Sequence, residues 1–486
     1  MSKILNFDKV TQTTNNQQPT TINIMKTHHL IFAITALFVA LFYEQNPGLN
    51  IGILGIIVSV LTYFNTAKTN RTKNFLMLFA TSIVSSFAFA WYGDFVSFLA
   101  IFTSLFLLGF TSKNKELKTL FVIPVFAINF VTFIYRFFQF EEWLPLRKTE
   151  GFWQKFLAVV LIPALLLLIF FGIYSKGSTH FASFFSDYEL DINLWEVIVF
   201  AVMGFFLSFN FFNFQIYEFI SKQNHYLKNN FSNEDKVAKP TYDFLDLNSE
   251  RLSGIVSFLG LNILLLFFIV TFNYEQFVEL PKATANQLAE ETHERVGAVI
   301  ASIVMAIVVI MFYFKGSFNF DKSAKWLKIL SQIWVFLNGV LVLSAFAKNT
   351  EYVVNLGLTY KRLGVYAFLL LSIIGLVFTF IKIQKKKTNA FLFNQMFWYV
   401  YGTILLCSFI NWGAIITSHN LERKDFAANY HLNSVDFNEK EMLEYYQKAN
   451  NKLMYNFLKD KIETKQSESF LSKVLYYETI NFQDSE

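Results

Sequence analysis

The chain has 486 residues, a formal net charge of +5 and a single cysteine; 54% of it is hydrophobic and only 16% charged. A soluble chain carries about 25% charged residues, so the composition argues against a soluble globular protein. The small positive excess sits in short loops, where it orients a membrane protein and does not suggest nucleic-acid binding, and with Cys407 alone no disulfide forms within the chain.

Residues 1–27 are polar and rich in Thr, Asn and Gln. They read as a disordered cytoplasmic tail, not as a cleavable signal. Apolar runs then follow from about His29 to about Trp412. Crossing a bilayer takes roughly 20 apolar residues, with about 17 as the lower limit. Leu30–Tyr43 and Leu49–Phe64 form a helical hairpin turning at Asn46-Pro47-Gly48. Next come Phe75–Trp91, Phe95–Phe110, Leu120–Tyr135, Phe156–Tyr174 and Leu194–Phe212. Leu252–Phe272, Gly297–Phe314, Leu327–Phe346, Val365–Ile383 and Met396–Trp412 complete the set. Pro124 and Pro163 fall inside runs and are expected to kink their helices. The fold class that follows is all-α: a polytopic transmembrane helical bundle of 11 or 12 spans with a short amphipathic helical tail. Its parts are the tail 1–27, N-terminal membrane helices 28–138, a main bundle 150–419 and a C-terminal tail 420–486. In that last part Asp436 and Glu439 have capping-box spacing, and apolar residues from Leu443 to Leu458 predict one helix over about 437–461. Its apolar face is expected to pack on its own chain or a partner.

Loop charges set the topology. Lys68, Arg71 and Lys73 make one basic loop; Lys113, Lys115 and Lys118 a second; Lys315, Lys322 and Lys325 a third; Lys382, Lys385, Lys386 and Lys387 a fourth. Positive residues mark the cytoplasmic side. Acidic loops around Asp187–Asp191 and Glu275–Glu294 then face outward. Five candidate spans separate the second and third basic loops, where an even number is required. The weakest is Leu120–Tyr135, which holds Pro124 and Asn129 and runs into Arg136, so it reads as re-entrant or interfacial. This leaves 11 spans in a bacterial inner membrane, N-terminus inside and C-terminus outside. Twelve spans with one basic loop misplaced is the alternative. Lys361 and Arg362, on the outer side, count against the 11-span arrangement.

No motif specifies chemistry. All seven histidines lie outside the deep spans, which argues against a haem or metal site. No cofactor is called for. The spans are nearly empty of charge, and amides such as Asn129, Asn210, Asn262 and Asn338 are expected to bond helix to helix. The outer side is more polar. Thr284 and Gln287 have capping-box spacing, starting a helix that carries Glu290, His293 and Glu294. Glu275 precedes it. Thr359 and Arg362 lead into the span at Val365, and Asn411 and Asn420 bracket the end of the last span. These residues form either interfacial caps or one outward-facing binding cluster. In the second case Arg362 lies within salt-bridge reach of an acidic residue of the 273–295 loop.

At these residues the chain resembles a known family. Leu252-Ser253-Gly254 through Asn273-Tyr274-Glu275, then His293-Glu294-Arg295-Val296, then Gly357-Leu358-Thr359-Tyr360-Lys361-Arg362 are similar to successive blocks of it. Asn411-Trp412 with Asn420-Leu421 resembles its closing element, with Gly413 where the family has an acidic residue. The family is a bacterial group of multi-pass proteins known only as a domain of unknown function (the 4153/4173-type group), and the resemblance covers about residues 150–440. It implies an integral membrane protein and no activity. Two functions remain: a transporter or permease-like protein for a small molecule, which the number of spans favours, and as the alternative a non-catalytic envelope sensor or assembly protein that binds a partner through its outer face and tail. An enzyme comes third. Partners are the lipid bilayer and either that small molecule or an envelope protein, not nucleic acid.

Overall fold

The structure, a computed structural model, describes residues 25–144, 158–159, 162–178, 180–181, 193–240, 244–278 and 285–482, with only the backbone of 285–295. The expected tail 1–27 and Thr284 fall almost wholly outside these residues. Every helix or strand assigned among them is helical, so the fold is all-α. Eight helices are long and apolar enough to cross a membrane, and four shorter apolar ones join them. The chain divides into two compact units.

Unit 1 comprises Met1–Leu117, Phe121–Ile220 and Ser467–Leu475. Its longer helices are α1 (Thr27–Phe42), α2 (Leu49–Asn65), α3 (Lys73–Tyr92), α4 (Phe95–Lys113), α5 (Val122–Val131), α6 (Ile162–Gly177) and α7 (Leu194–Phe212). Thr72 caps α3 by accepting from Phe75 N, and Asp94 caps α4 by accepting from Ser97 N. Between them Gly93 ends α3 at φ +64°, a left-handed turn that favours glycine. Small residues let α2 and α3 approach: a Cβ on Gly52 would lie 2.8 Å from Ala90 Cβ.

Contacts sort the turns of unit 1 onto two ends. At one end the segment Ser467–Leu475 docks on the α1–α2 turn, with Leu49 N donating to Lys473 O at 2.9 Å and Asn46 N to Ser472 Oγ at 2.9 Å. Gly48 lies so close to the Ser472 carbonyl that a Cβ would overlap it, and Val474 sits against Gly93. Asn193, which caps α7, joins this end through Tyr43. At the other end lie the basic turns: Asn70 bonds Ser112 O, and Lys113 Nζ bonds Phe212 O and Phe214 O at the far end of α7. Helix α5 is 10 residues, about 15 Å, and a six-residue helix, Phe133–Phe138, follows it after Thr132. Helix α5 breaks at Thr132, and Asn129 exchanges two hydrogen bonds with Gln215, at the same end as Lys113. Arg136 follows, 1% exposed, and donates to Asn213 O, Asn129 O and Asn210 Oδ1.

Unit 2 comprises Lys118–Leu120, Ser221–Gln466 and Tyr476–Glu486. Its helices are α8 (Leu247–Phe277), α9 (Ala285–Tyr313), α10 (Lys325–Leu356), α11 (Tyr360–Gln384), α12 (Asn389–Cys407), α13 (Trp412–Leu421), α14 (Ala428–Ser434), α15 (Glu439–Lys448) and α16 (Lys452–Gln466). Phe258, Leu265, Ile303, Ile310, Leu341 and Leu376 belong to one buried apolar cluster drawn from α8 to α11. Asn262 bonds across to Leu330 O as expected, whereas Asn338 bonds back to Trp334 O in its own helix.

Three expectations are corrected here. Lys382 is not a loop residue: it is fully buried in the last turn of α11 and donates to Phe314 O at 2.7 Å, where α9 ends. A helix C-terminus presents unpaired carbonyls and negative potential, which suits a cation. The single tail helix over 437–461 is two, α15 and α16, broken where Asn450 takes φ +51°. Glu439 does not close a capping box. It is 2% exposed and its Oε1 meets Lys461 Nζ at 3.1 Å and Tyr477 Oη at 3.2 Å. Leu443, Tyr446 and Leu458 are buried on the chain itself, while Leu453 and Phe457 face outward.

Candidate functional site

The Gly-Leu-Thr-x-x-Arg element joins α10 to α11, and each residue has a physical reason. Gly357 ends α10 at φ +83°, and a Cβ there would sit 2.7 Å from Asn420 Oδ1. Leu358 is buried, and its backbone pairs with one side chain: Leu358 N donates to Asn420 Oδ1 at 2.7 Å, and Asn420 Nδ2 donates to Leu358 O at 2.9 Å. Thr359 caps α11 by accepting from Arg362 N. Arg362 turns back over the Tyr352 ring, 4.9 Å from its centroid, and donates through Nη1 to Leu356 O and Gly357 O.

A second arginine completes the cap. Arg423 donates to Val354 O and Asn355 O and pairs with Asp425 at 2.9 Å. Four successive carbonyls at the end of α10 are thus taken by two guanidiniums, a charge-assisted arrangement that matches the negative end of the helix dipole. The Arg423 partner also holds the Asp425 carboxyl below its usual range.

Asn420 extends inward. Its Nδ2 faces His431 Nε2 at 3.1 Å, and His431 Nδ1 faces Thr417 Oγ1 at 2.9 Å. The Leu358 backbone fixes which end of the amide is the donor, so Nε2 must accept. His431 is therefore neutral, with its proton on Nδ1 donated to Thr417. Burial lowers its pKa, in agreement. Asn438 Nδ2 closes the network on Thr417 Oγ1 and His431 O. Phe426 stacks on the imidazole with centroids 4.7 Å apart.

A cavity of about 200 Å³ opens beside this network, lined by Thr359, Arg362, Asn420, Arg423, Asp425 and Tyr430 among others. Nη1 of Arg362 makes both of its hydrogen bonds among the described residues. Its Nε–Nη2 edge is left as the planar fork that a carboxylate fits. The cavity holds two guanidiniums and one carboxylate.

Of the eight expected site residues, Thr359, Arg362 and Asn420 come together here. Asn411 does not line the cavity; it caps α13 by accepting from Ala414 N at 2.9 Å. Glu275 is exposed near the end of α8. The side chains of Glu290, His293 and Glu294 lie outside the described residues, and with them most of the expected acidic partners of Arg362. Gly413, where the resembled family has an acid, packs against the Asp436 backbone with no room for a Cβ. Arg423, Tyr430 and His431 were not expected. Their one sequence signal is Arg423 three residues after Asn420, just past the end of a short helix.

A family model described as Domain of unknown function (DUF4153) matches residues 32–443. No curated protein and no solved structure matches the chain.

Proposed function

We propose, for a chain that belongs to the DUF4153 family of unknown function, a role as a non-catalytic, multi-pass envelope protein that binds a small carboxylate-bearing solute or peptide end at its outer face. The observation that carries this reading is the Arg362–Arg423 cavity, in which the Nε–Nη2 edge of Arg362 has no hydrogen-bond partner among the described residues. By the positive-inside rule, the basic turns 66–73, 315–325 and 385–388 support an outward-facing Gly357 end of α10. The same rule leaves α5 uncrossed and gives 11 spans in a cell membrane, with the tail outside. Helices α13 to α16, tied to the cavity through Asn438 and His431, are the surface through which occupancy reaches a partner. Thermal unfolding of the full chain in detergent tests the site. Acetate, succinate and citrate raise the melting temperature above equal ionic strength of chloride, and Arg423→Gln removes the increase. No anion-specific shift, or one that Arg423→Gln leaves intact, contradicts the reading.

A second reading, a permease for the same solute, is favoured by one observation. The Oδ1 atoms of Asn262 and Asn338 are buried within the bundle of unit 2 without a hydrogen-bond partner among the described residues. The apolar cluster around them favours the first reading. Uptake into proteoliposomes separates the two.

A further inference from the structure

A second cavity lies in unit 1, at the end that carries the basic turns. It measures about 300 Å³ and opens between α1, α2, α4 and α7. At about 30 Å³ per water in the liquid, this is the space of roughly ten waters, more than a single ion needs.

Its walls offer two kinds of group. Lys113 and Thr27 supply donors. The Lys113 amine gives two hydrogens to Phe212 O and Phe214 O, and a third remains. Thr27 begins α1, a 16-residue helix whose N-cap makes no side-chain bond. His29 N already donates to Lys26 O at 3.0 Å, and among the described residues the Thr27 and His28 N–H groups and the positive dipole end stay available to an anion. The other lining residues supply acceptors. Thr62, Thr66 and Ser112 donate their hydroxyl hydrogens to Val58 O, Thr62 O and Gly109 O, so only lone pairs face the cavity. Asn65 Oδ1 is buried there with no hydrogen-bond partner among the described residues.

We infer that this cavity binds a phospholipid headgroup: the phosphodiester sits on Lys113 and the start of α1, and the hydroxyl or amine beyond it donates to Asn65 and the threonines. A basic pocket between helices at a membrane surface is suited to such a group. The chemistry needs an anion and donors in one ligand, which phosphatidylglycerol and phosphatidylethanolamine both provide.

Native mass spectrometry of the full chain, with these two lipids, diacylglycerol and inorganic phosphate as probes, tests the inference. The wild type retains phospholipid at an energy that strips diacylglycerol. Lys113→Gln, which removes the charged anchor, and Ser112→Leu, which fills the cavity and leaves the Lys113 amine in place, each lower the retained fraction at least about fivefold. Asn65→Leu replaces either variant if it fails to fold, judged by helical circular dichroism. Displacement of the lipid by glycerophosphoglycerol supports headgroup recognition. Equal retention of diacylglycerol, unchanged retention in the folded variants, or binding of inorganic phosphate with no retention of lipid overturns the assignment.

Discussion

Replacing Asn420 by alanine tests the network most sharply, because one side chain satisfies both polar groups of a buried residue. In Asn420→Ala, Leu358 N and Leu358 O lose their partners, and His431 Nε2 loses its donor. A buried polar group left unsatisfied costs about 1–3 kcal/mol, so the pair would cost about 2–6 kcal/mol with no relaxation. Water entering the space beside the cavity brings the effect to the lower end, about 2 kcal/mol, or about 30-fold in the local opening equilibrium. Hydrogen exchange of the full chain, read on a peptide spanning 357–363, reports it directly, since the Leu358 amide is itself the donor. Exchange there accelerates about 30-fold, while peptides of α3 and α4 in unit 1 are unchanged. Asn420→Asp keeps the acceptor for Leu358 N and restores part of the protection. An exchange rate for Leu358 within twofold of wild type in Asn420→Ala would refute the reasoning.

Three further outcomes follow from the same contacts. The folded-state pKa of His431 is lowered by burial, so the unfolded chain binds the proton first; its contribution is complete above about 6.5, the unfolded value, and is lost as pH falls from there toward the folded value. The melting-temperature difference between wild type and His431→Gln therefore shrinks between pH 8 and pH 5, and a difference independent of pH would show that His431 is not held neutral. Gly357→Ala forces a side chain into φ +83° against Asn420 and costs about 1–3 kcal/mol, measurable as a lowered melting temperature, whereas Gly364→Ala, with open space around its Cβ position, does not destabilise. In a cysteine-free background, Lys385→Cys is protected from impermeant thiol reagents on intact cells and Asn450→Cys is labelled; equal protection of both contradicts the topology, and opposite sidedness of reporters placed at Leu117 and Leu144 contradicts the reading that α5 does not cross.

What the sequence disclosed was local. Thr359 and Asn411 are short polar residues just before apolar helices, and both are caps in the structure. Apolar runs located the membrane helices but not their ends, since α10 continues through the polar turn Lys348–Tyr352 to Leu356. Loop counting treats each lysine as solvated, so the burial of Lys382 against Phe314 O was invisible. The same holds for the cations of unit 1. Lys113 and Arg136 have backbone carbonyls at the end of α7 as partners, and carbonyls leave no trace in a search for carboxylates. Asn420 and Arg423 meet the α10–α11 turn and α10 through contacts some 60 or more residues apart along the chain; no periodicity encodes such a meeting. The expected helix over 437–461 failed at Asn450, because the apolar spacing on its two sides is continuous while the backbone turns.

The central claim is that the cavity beside Arg362 and Arg423 faces outward and attracts anions. The direct measurement is the ratio of reaction rates of anionic and cationic methanethiosulfonate reagents, both membrane-impermeant, at Tyr430→Cys in a cysteine-free background on intact cells. Two guanidiniums against one carboxylate leave a net positive charge on the cavity. At about 5 Å and an effective dielectric near 20 that charge is worth up to about 3 kcal/mol before screening, and about 1 kcal/mol after it at physiological salt. The account predicts that the anionic reagent is favoured at least about fivefold over its ratio at the exposed control Lys452→Cys, and that Arg423→Gln removes the preference. A ratio equal to the control, a preference for the cationic reagent, or no labelling from outside contradicts it.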